Sequence, residues 1–182
     1  MSELVFESTP LDGLMVVRAN KASDERGFFA RLYCRDTFAA AGHPFVPVQI
    51  SASFNAHAGT LRGLHWQAAP HGEAKLVRIT SGRTFHVGVD LRENSPTRLR
   101  SFAIVLDASE HTGLLIPAGF AQGFITLVDG TEVNYAMDVP YVASAARGAR
   151  WNDPTLAIAW PREPAIISAR DRTWPDLGDT LK

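Results

Sequence analysis

The sequence predicts an all-β protein, an antiparallel sandwich or barrel. Three observations carry this reading. Apolar residues alternate at period two in short runs between residues 49 and 160, turn-forming residues separate the runs, and no long helical pattern intervenes. Successive side chains of a strand point to opposite faces, so a half-buried strand writes this alternation into its sequence. Short strands joined without long crossover helices pair antiparallel.

The best short helix spans residues 36–41, with Asp36 near its N-cap and Gly42 ending it. Residues 75–79 form a strand with Lys75, Val77 and Ile79 on one face. Residues 84–91 give the clearest pattern: Phe85, Val87, Val89 and Leu91 alternate with His86, Gly88 and Asp90. Strands at 102–106, 114–116, 123–127 and 132–137 follow, the last placing Val133, Tyr135 and Met137 on one face. The 14 glycines and 11 prolines are scattered as turn punctuation. Trp160-Pro161-Arg162-Glu163-Pro164 leaves the sheet, and the segment after it is loop or short helix. No linker or repeat divides the chain, and 182 residues suit one well-cored domain over 1–182.

Composition narrows the function. Apolar residues make up 46% and charged residues 20%, as in ordinary globular proteins. The net charge is −1 and no run of Lys and Arg stands out, which argues against nucleic acid or an anionic membrane as partner. One cysteine, Cys34, forbids an internal disulfide and fits a reducing compartment. The N-terminus lacks a basic segment followed by an apolar core, and no window approaches the ~20 apolar residues of a membrane span. A cytoplasmic location is expected.

The densest chemistry lies in Arg62-Gly63-Leu64-His65-Trp66-Gln67, with Lys75 ten residues on. An imidazole between two cations suits a sugar nucleotide: cations for a diphosphate or a developing oxyanion, a neutral histidine to take a proton. If the faces carrying Lys75 and Tyr135 line the interior, an ammonium and a phenol project into an apolar pocket, where an unpartnered ammonium is costly. Of the other histidines, His43, His57 and His111 sit among loop signals and read as solvated, and His71 follows Pro70 in a turn. His86 is compatible with either solvent or pocket.

A metal site needs separate weighing. The metal-binding cupin pattern has a His-x-His pair, a glutamate, and a histidine after a Pro-x-Gly turn. Here His65 is followed by Gln67, and past Pro117-Ala118-Gly119 the expected ligand is Gln122. Carboxamides replace imidazole poorly on iron, zinc or manganese, so no metal is expected.

Six segments carry a resemblance: DERGFF at 24–29, GTLRGLHWQ at 59–67, AKLVRITSG at 74–82, VDLRENSPT at 89–97, IPAGFAQGF at 116–124 and RWNDPTLAIAWP at 150–161. Together they resemble the dTDP-4-dehydrorhamnose 3,5-epimerase family, in that family's order and over most of the chain. The resemblance implies a metal-free, cofactor-free, cupin-type double-sheet jelly roll with short flanking helices. It implies a homodimer in which an N-terminal strand crosses to the partner, and a nucleotide-diphosphate 4-keto-6-deoxy-hexose as substrate. By position, His65 matches the base, Asp171 its carboxylate partner, Tyr135 the acid on the opposite ring face, and Lys75 and Arg62 the cations near the 4-keto oxygen and the sugar. Arg26 matches a diphosphate contact donated across the dimer, with Phe28 and Gln49 near the nucleotide; Gln122 is expected to touch substrate.

The chain departs from the family at four places: Gln122 stands for a histidine, Ala146 for a glutamate, Arg31 for a glutamate and His86 for an aspartate. Proton chemistry is expected to persist while substrate identity or the number of inverted centres changes. The alternatives are a 3-epimerase or keto-isomerase acting on a GDP- or CDP-linked sugar, and a non-catalytic sugar-nucleotide-binding jelly roll. The latter needs neither a base nor an opposed acid.

Overall fold

The computed structural model describes residues 3–180, and its strands are β1 (Leu4–Ser8), β2 (Met15–Ala19), β3 (Lys21–Asp24), β4 (Gly27–Ala30), β5 (Gln49–Asn55), β6 (Thr60–Gln67), β7 (Lys75–Ser81), β8 (Arg83–Asp90), β9 (Ser101–Asp107), β10 (Gly113–Ile116), β11 (Phe120–Thr126), β12 (Thr131–Met137), β13 (Ala146–Gly148) and β14 (Ile166–Ile167). Three short helices complete it: α1 (Arg35–Ala40), α2 (Ala169–Thr173) and α3 (Leu177–Thr180). One six-stranded sheet runs β1-β2-β10-β7-β12-β5; the facing sheet runs β13-β6-β11-β8-β9, with β14 added parallel to β6. This is a double-sheet jelly roll of the cupin type, the antiparallel sandwich that the alternation predicts and the jelly roll that the resemblance implies. No helix among the described residues is long and apolar enough to cross a membrane.

Apolar side chains form three cores. Between the sheets lie Leu14, Val77, Ile79, Leu106, Leu114, Phe124 and Val133. Outside the first sheet, α1 and the following loop contribute Phe38 and Phe45 against Val17, Leu76 and Leu115. Outside the second, Ala149, Leu156 and Leu177 cover Leu64, Val87 and Val89. Both sheets are thus covered over part of their outer faces too, and the covered strands lose the polar side that a solvated sheet shows. This explains one correction. In β8 the apolar set Val87 and Val89 faces the outer core, while His86 and Asp90, the polar set, are fully buried.

Other boundaries differ from expectation for local reasons. The helix begins at Arg35 with Cys34 at its N-cap, so Asp36 sits in the first turn instead of capping it. Gly42, at φ +81°, does end it, as expected. β11 starts at Phe120, three residues before the expected 123, because every residue from Phe120 to Thr126 is buried and the alternation is blank. Strands β1 to β4 escaped the sequence reading; β3 and most of β4 are exposed and write no pattern. Of the histidines read as solvated, His57 is exposed, while His43 stacks on Phe6 and His111 packs against Phe28.

Candidate active site

Residues of both sheets line a cavity of about 390 Å³. Gln49, Lys75 and Tyr135 line it from the first sheet, and Arg62, His65 and Gln122 from the second. The shared strand faces predicted for Lys75-Val77-Ile79 and Val133-Tyr135-Met137 are the interior faces.

Arg62 and His65 reach the same cavity although they stand three positions apart. Strict alternation would send them to opposite faces. A bulge resolves this: along β11, Gln122 stands opposite His65 and Phe124 opposite Arg62, so β6 spends one extra residue there. Gly63 lies in the bulge with φ +134°, and a Cβ on it would come within 2.6 Å of Gly123 Cα. Only glycine fits.

His65 Nε2 lies 2.5 Å from Asp171 Oδ1, and the imidazole side chain is 37% exposed against 6% for the carboxylate. Asp171 is fixed from below. Its own N–H donates to Ser168 Oγ at 3.0 Å, the N-cap bond of α2, while Gly63 N–H and Trp174 Nε1–H donate to its two oxygens at 3.4 and 3.3 Å. Burial pushes this carboxyl toward neutrality. The hydrogen bond and charge of His65, with the Gly63 and Trp174 donors, outweigh it and hold the pKa below the ordinary carboxylate value. The dyad is therefore a carboxylate that orients an imidazole facing the cavity.

Lys75 is buried, as expected of an inward lysine, and it is not unpartnered. Its ammonium meets Glu73 Oε1 at 2.7 Å, with both side chains about nine-tenths buried. Glu73 also accepts from Gln67 Nε2 at 3.1 Å. The sequence reading missed Glu73, which stands two residues before Lys75 and just outside β7. Tyr135 packs against the inter-sheet core; burial raises the phenol's pKa, and the Arg62 charge offsets this only in part, so the hydroxyl keeps its proton at neutral pH. Arg62 Nε–H donates to Asn55 Oδ1 at 2.8 Å, which aims the guanidinium along the cavity wall.

The two glutamines at the expected metal-ligand positions are engaged within the protein. Gln67 donates to Glu73 and to the carbonyls of His71 and Pro140, and its oxygen accepts from Val142 N–H. Gln122 meets His86 Nε2 at 2.8 Å. Ala146 also lines the cavity, where a glutamate was expected of the family.

Two expected site residues lie elsewhere. Arg26 and Phe28 belong to the β3-β4 hairpin, off the cavity. Arg26 pairs with Asp24 at 2.6 Å with its side chain 84% exposed, and Phe28 lies under Lys21 and beside His111. Two cavity residues that the sequence reading passed over are Arg147 and Arg170, at the mouth; Arg170 stacks over Trp174. Their signal was slight, single basic residues in segments without periodicity.

Comparison with known proteins settles the kinship. A family model described as dTDP-4-dehydrorhamnose 3,5-epimerase matches residues 8–179. The chain belongs to the dTDP-4-dehydrorhamnose 3,5-epimerase family. A family member from Methanothermobacter thermautotrophicus is 38% identical over 97% of this chain and 96% of its own length. The crystal structure of the Bacillus anthracis epimerase with TDP and PPi bound superposes with TM-score 0.93 at 38% identity, covering 96% of this chain and all of that one. A 3'-monoepimerase from Streptomyces bikiniensis, in complex with dTDP-quinovose, superposes with TM-score 0.88 at 30% identity, covering 96% and 90%. The family's members are isomerases, and the resemblance drawn from the six sequence segments holds along nearly the whole chain.

Proposed function

We propose that the chain epimerises C3 and C5 of a dTDP-linked 4-keto-6-deoxy-hexose, the dTDP-4-dehydro-6-deoxyglucose to dTDP-4-dehydrorhamnose conversion. The observation that carries this is the oriented His65–Asp171 pair facing a cavity whose opposite wall bears Lys75 and a protonated Tyr135. His65 takes the proton from carbon beside the ketone. Charge moves to the keto oxygen, where the Lys75 ammonium stabilises it as it develops. Tyr135, from the other sheet, returns a proton to the opposite face, and His65 and Tyr135 are then reset by solvent. Arg62, Arg147 and Arg170 supply positive charge along the path to the mouth, suited to a diphosphate.

We further propose a homodimer. The β3-β4 hairpin stands clear of its own chain's sheets with Phe28 48% and Phe29 68% exposed, and β5 shows Ile50 and Phe54 outward. β1 pairs with β2 of its own chain, so the hairpin is the N-terminal element free to cross. Crossing would bring Arg26 and Phe28 to a second copy's cavity and give them the nucleotide-end roles that the resemblance implies, beside Gln49. The lone thiol of Cys34 accords with a cytoplasmic location.

A second reading, epimerisation at C3 alone, draws on Gln122 and Ala146, which replace two ionisable family residues in the cavity wall, and on the likeness to a 3'-monoepimerase. Incubation with dTDP-4-keto-6-deoxyglucose in deuterated water decides between the readings. Solvent deuterium at both C3 and C5 supports the 3,5-epimerase, deuterium at C3 alone supports the second reading, and none at either position excludes both.

A further inference from the structure

His86 and Gln122 form a pair that the proton chemistry leaves unused. His86 is fully buried on β8, its ring stacked on Phe124 with centroids 5.6 Å apart and planes within 14°. The stack fixes the ring plane, and the ring presents Nε2 to Gln122 Oε1 at 2.8 Å. The other nitrogen, Nδ1, is buried with no partner. Gln122 stands on β11 between the two histidine strands, directly opposite His65, and its side chain reaches the cavity.

Tautomer chemistry orients the amide. A bare Nδ1 lone pair costs less to bury than an N–H donor without an acceptor, so the single proton of the neutral ring belongs on Nε2. That N–H needs an acceptor, and Gln122 Oε1 is the one in reach. With the oxygen turned to His86, the amide nitrogen of Gln122 is left for the cavity, and no protein acceptor among the described residues takes it. Protonation does not disturb the arrangement near neutral pH. Burial, with Lys75's charge adding to it, lowers the His86 pKa to about 4 despite the Gln122 bond.

We propose that His86 is a positioning residue that locks the Gln122 carboxamide with its N–H₂ toward the sugar, and that Gln122 thereby selects substrates with an uncharged acceptor oxygen, a hydroxyl or ketone of the hexose ring, at that point of the cavity. The inference rests on the epimerase reading and names the part of the substrate that this wall recognises. It assigns a neutral, pH-independent contact to a position where a titrating group would change its character across the working range.

Steady-state kinetics with dTDP-4-keto-6-deoxyglucose, alongside the thermal shift given by dTDP alone, tests it. His86→Leu removes the lock and frees the amide to turn. KM should rise about tenfold, the loss of roughly one neutral hydrogen bond, with kcat changed less and the dTDP shift retained. His86→Gln places an amide N–H near the former Nε2 and should bring KM back to within about threefold of wild type. Gln122→Met, which keeps length without a donor, should raise KM at least as much as His86→Leu, and it carries the test if the leucine variant does not fold. An unchanged KM in Gln122→Met overturns the proposal. So does a His86→Gln variant that folds, binds dTDP and shows no recovery, because His86 would then serve packing alone. A wild type that places no deuterium on the sugar fails the epimerase reading first and the inference with it; normal exchange with unaffected Gln122→Met fails the inference alone.

Discussion

Two histidines stand on the same sheet, on the strands flanking β11, and the structure gives them opposite fates. His65 leans out, half in the cavity, against a carboxylate kept ionised by three donors, His65 itself, Gly63 N–H and Trp174 Nε1–H. His86 lies under the wall, sealed by Phe124, against a carboxamide. The first can accept a proton because Asp171 offsets the charge it gains. The second cannot do so near neutral pH, because nothing ionised compensates for its burial and the nearest charge, Lys75, opposes it. A histidine's chemistry is set by its partner and its solvent, not by its place in a motif.

The largest expected effect is on the exposed member. His65→Ala should lower turnover at least ~100-fold, within the ~10²–10⁴ usual for a general base, while the dTDP-induced thermal shift persists. A variant retaining more than about a hundredth of the wild-type rate would mean that the base is another group. Next comes Tyr135→Phe, which spares the base and Lys75. It should wash solvent deuterium into the unconverted substrate while forming little inverted product, as read by NMR of both species. Efficient inversion without the phenol would move the acid role elsewhere.

Asp171→Asn should fall short of His65→Ala, because the carboxylate orients and stabilises the imidazolium without touching substrate. A larger loss at Asp171 than at His65 would reverse the ordering. His86, by contrast, should be visible in stability. Its folded pKa is about 4 against 6.5 for the free side chain, so between those values the unfolded chain binds more protons and stability falls on acidification. Denaturant unfolding should show this contribution costing about 2 kcal/mol on going from pH 7 to pH 5, and His86→Leu should remove that part of the slope. Asp171 does not blur this window: its depressed pKa contributes stability that is lost only as the pH falls below about 3.8. The smallest effect is expected from a strong chelator, which should leave rate and melting temperature unchanged. Loss of activity restored by iron, manganese or zinc would convert the comparison of two imidazoles into a question of metal ligation.

Period-two arithmetic made much of the first sheet's contribution legible, since Lys75 and Tyr135 sit on strands whose core face is apolar and whose register has no break at those residues. The second sheet was harder. Its central strands are covered on both sides, so β11 shows no alternation and in β8 the polar half is as buried as the apolar half. Asp171 came only through family resemblance, because it lies on a five-residue helix more than a hundred residues from its partner. Glu73 was passed over because the stretch before β7 reads as a turn. The hairpin bearing Arg26 and Phe28 left no burial signal at all, as expected of an element whose packing partner would be another molecule.

The bulge at Gly63 makes β6 a strand of two phases. Before it, the cavity receives Arg62; after it, His65 and Gln67, with Leu64 turned to the outer core. Inserting a single residue between Leu64 and His65 would leave every side chain of the active centre in the sequence and yet reverse the rest of the strand, turning the imidazole to the hydrocarbon beneath. The reaction thus depends on a count of residues as much as on their kinds, and tolerance to substitution along this strand would give no warning of its intolerance to a change of length.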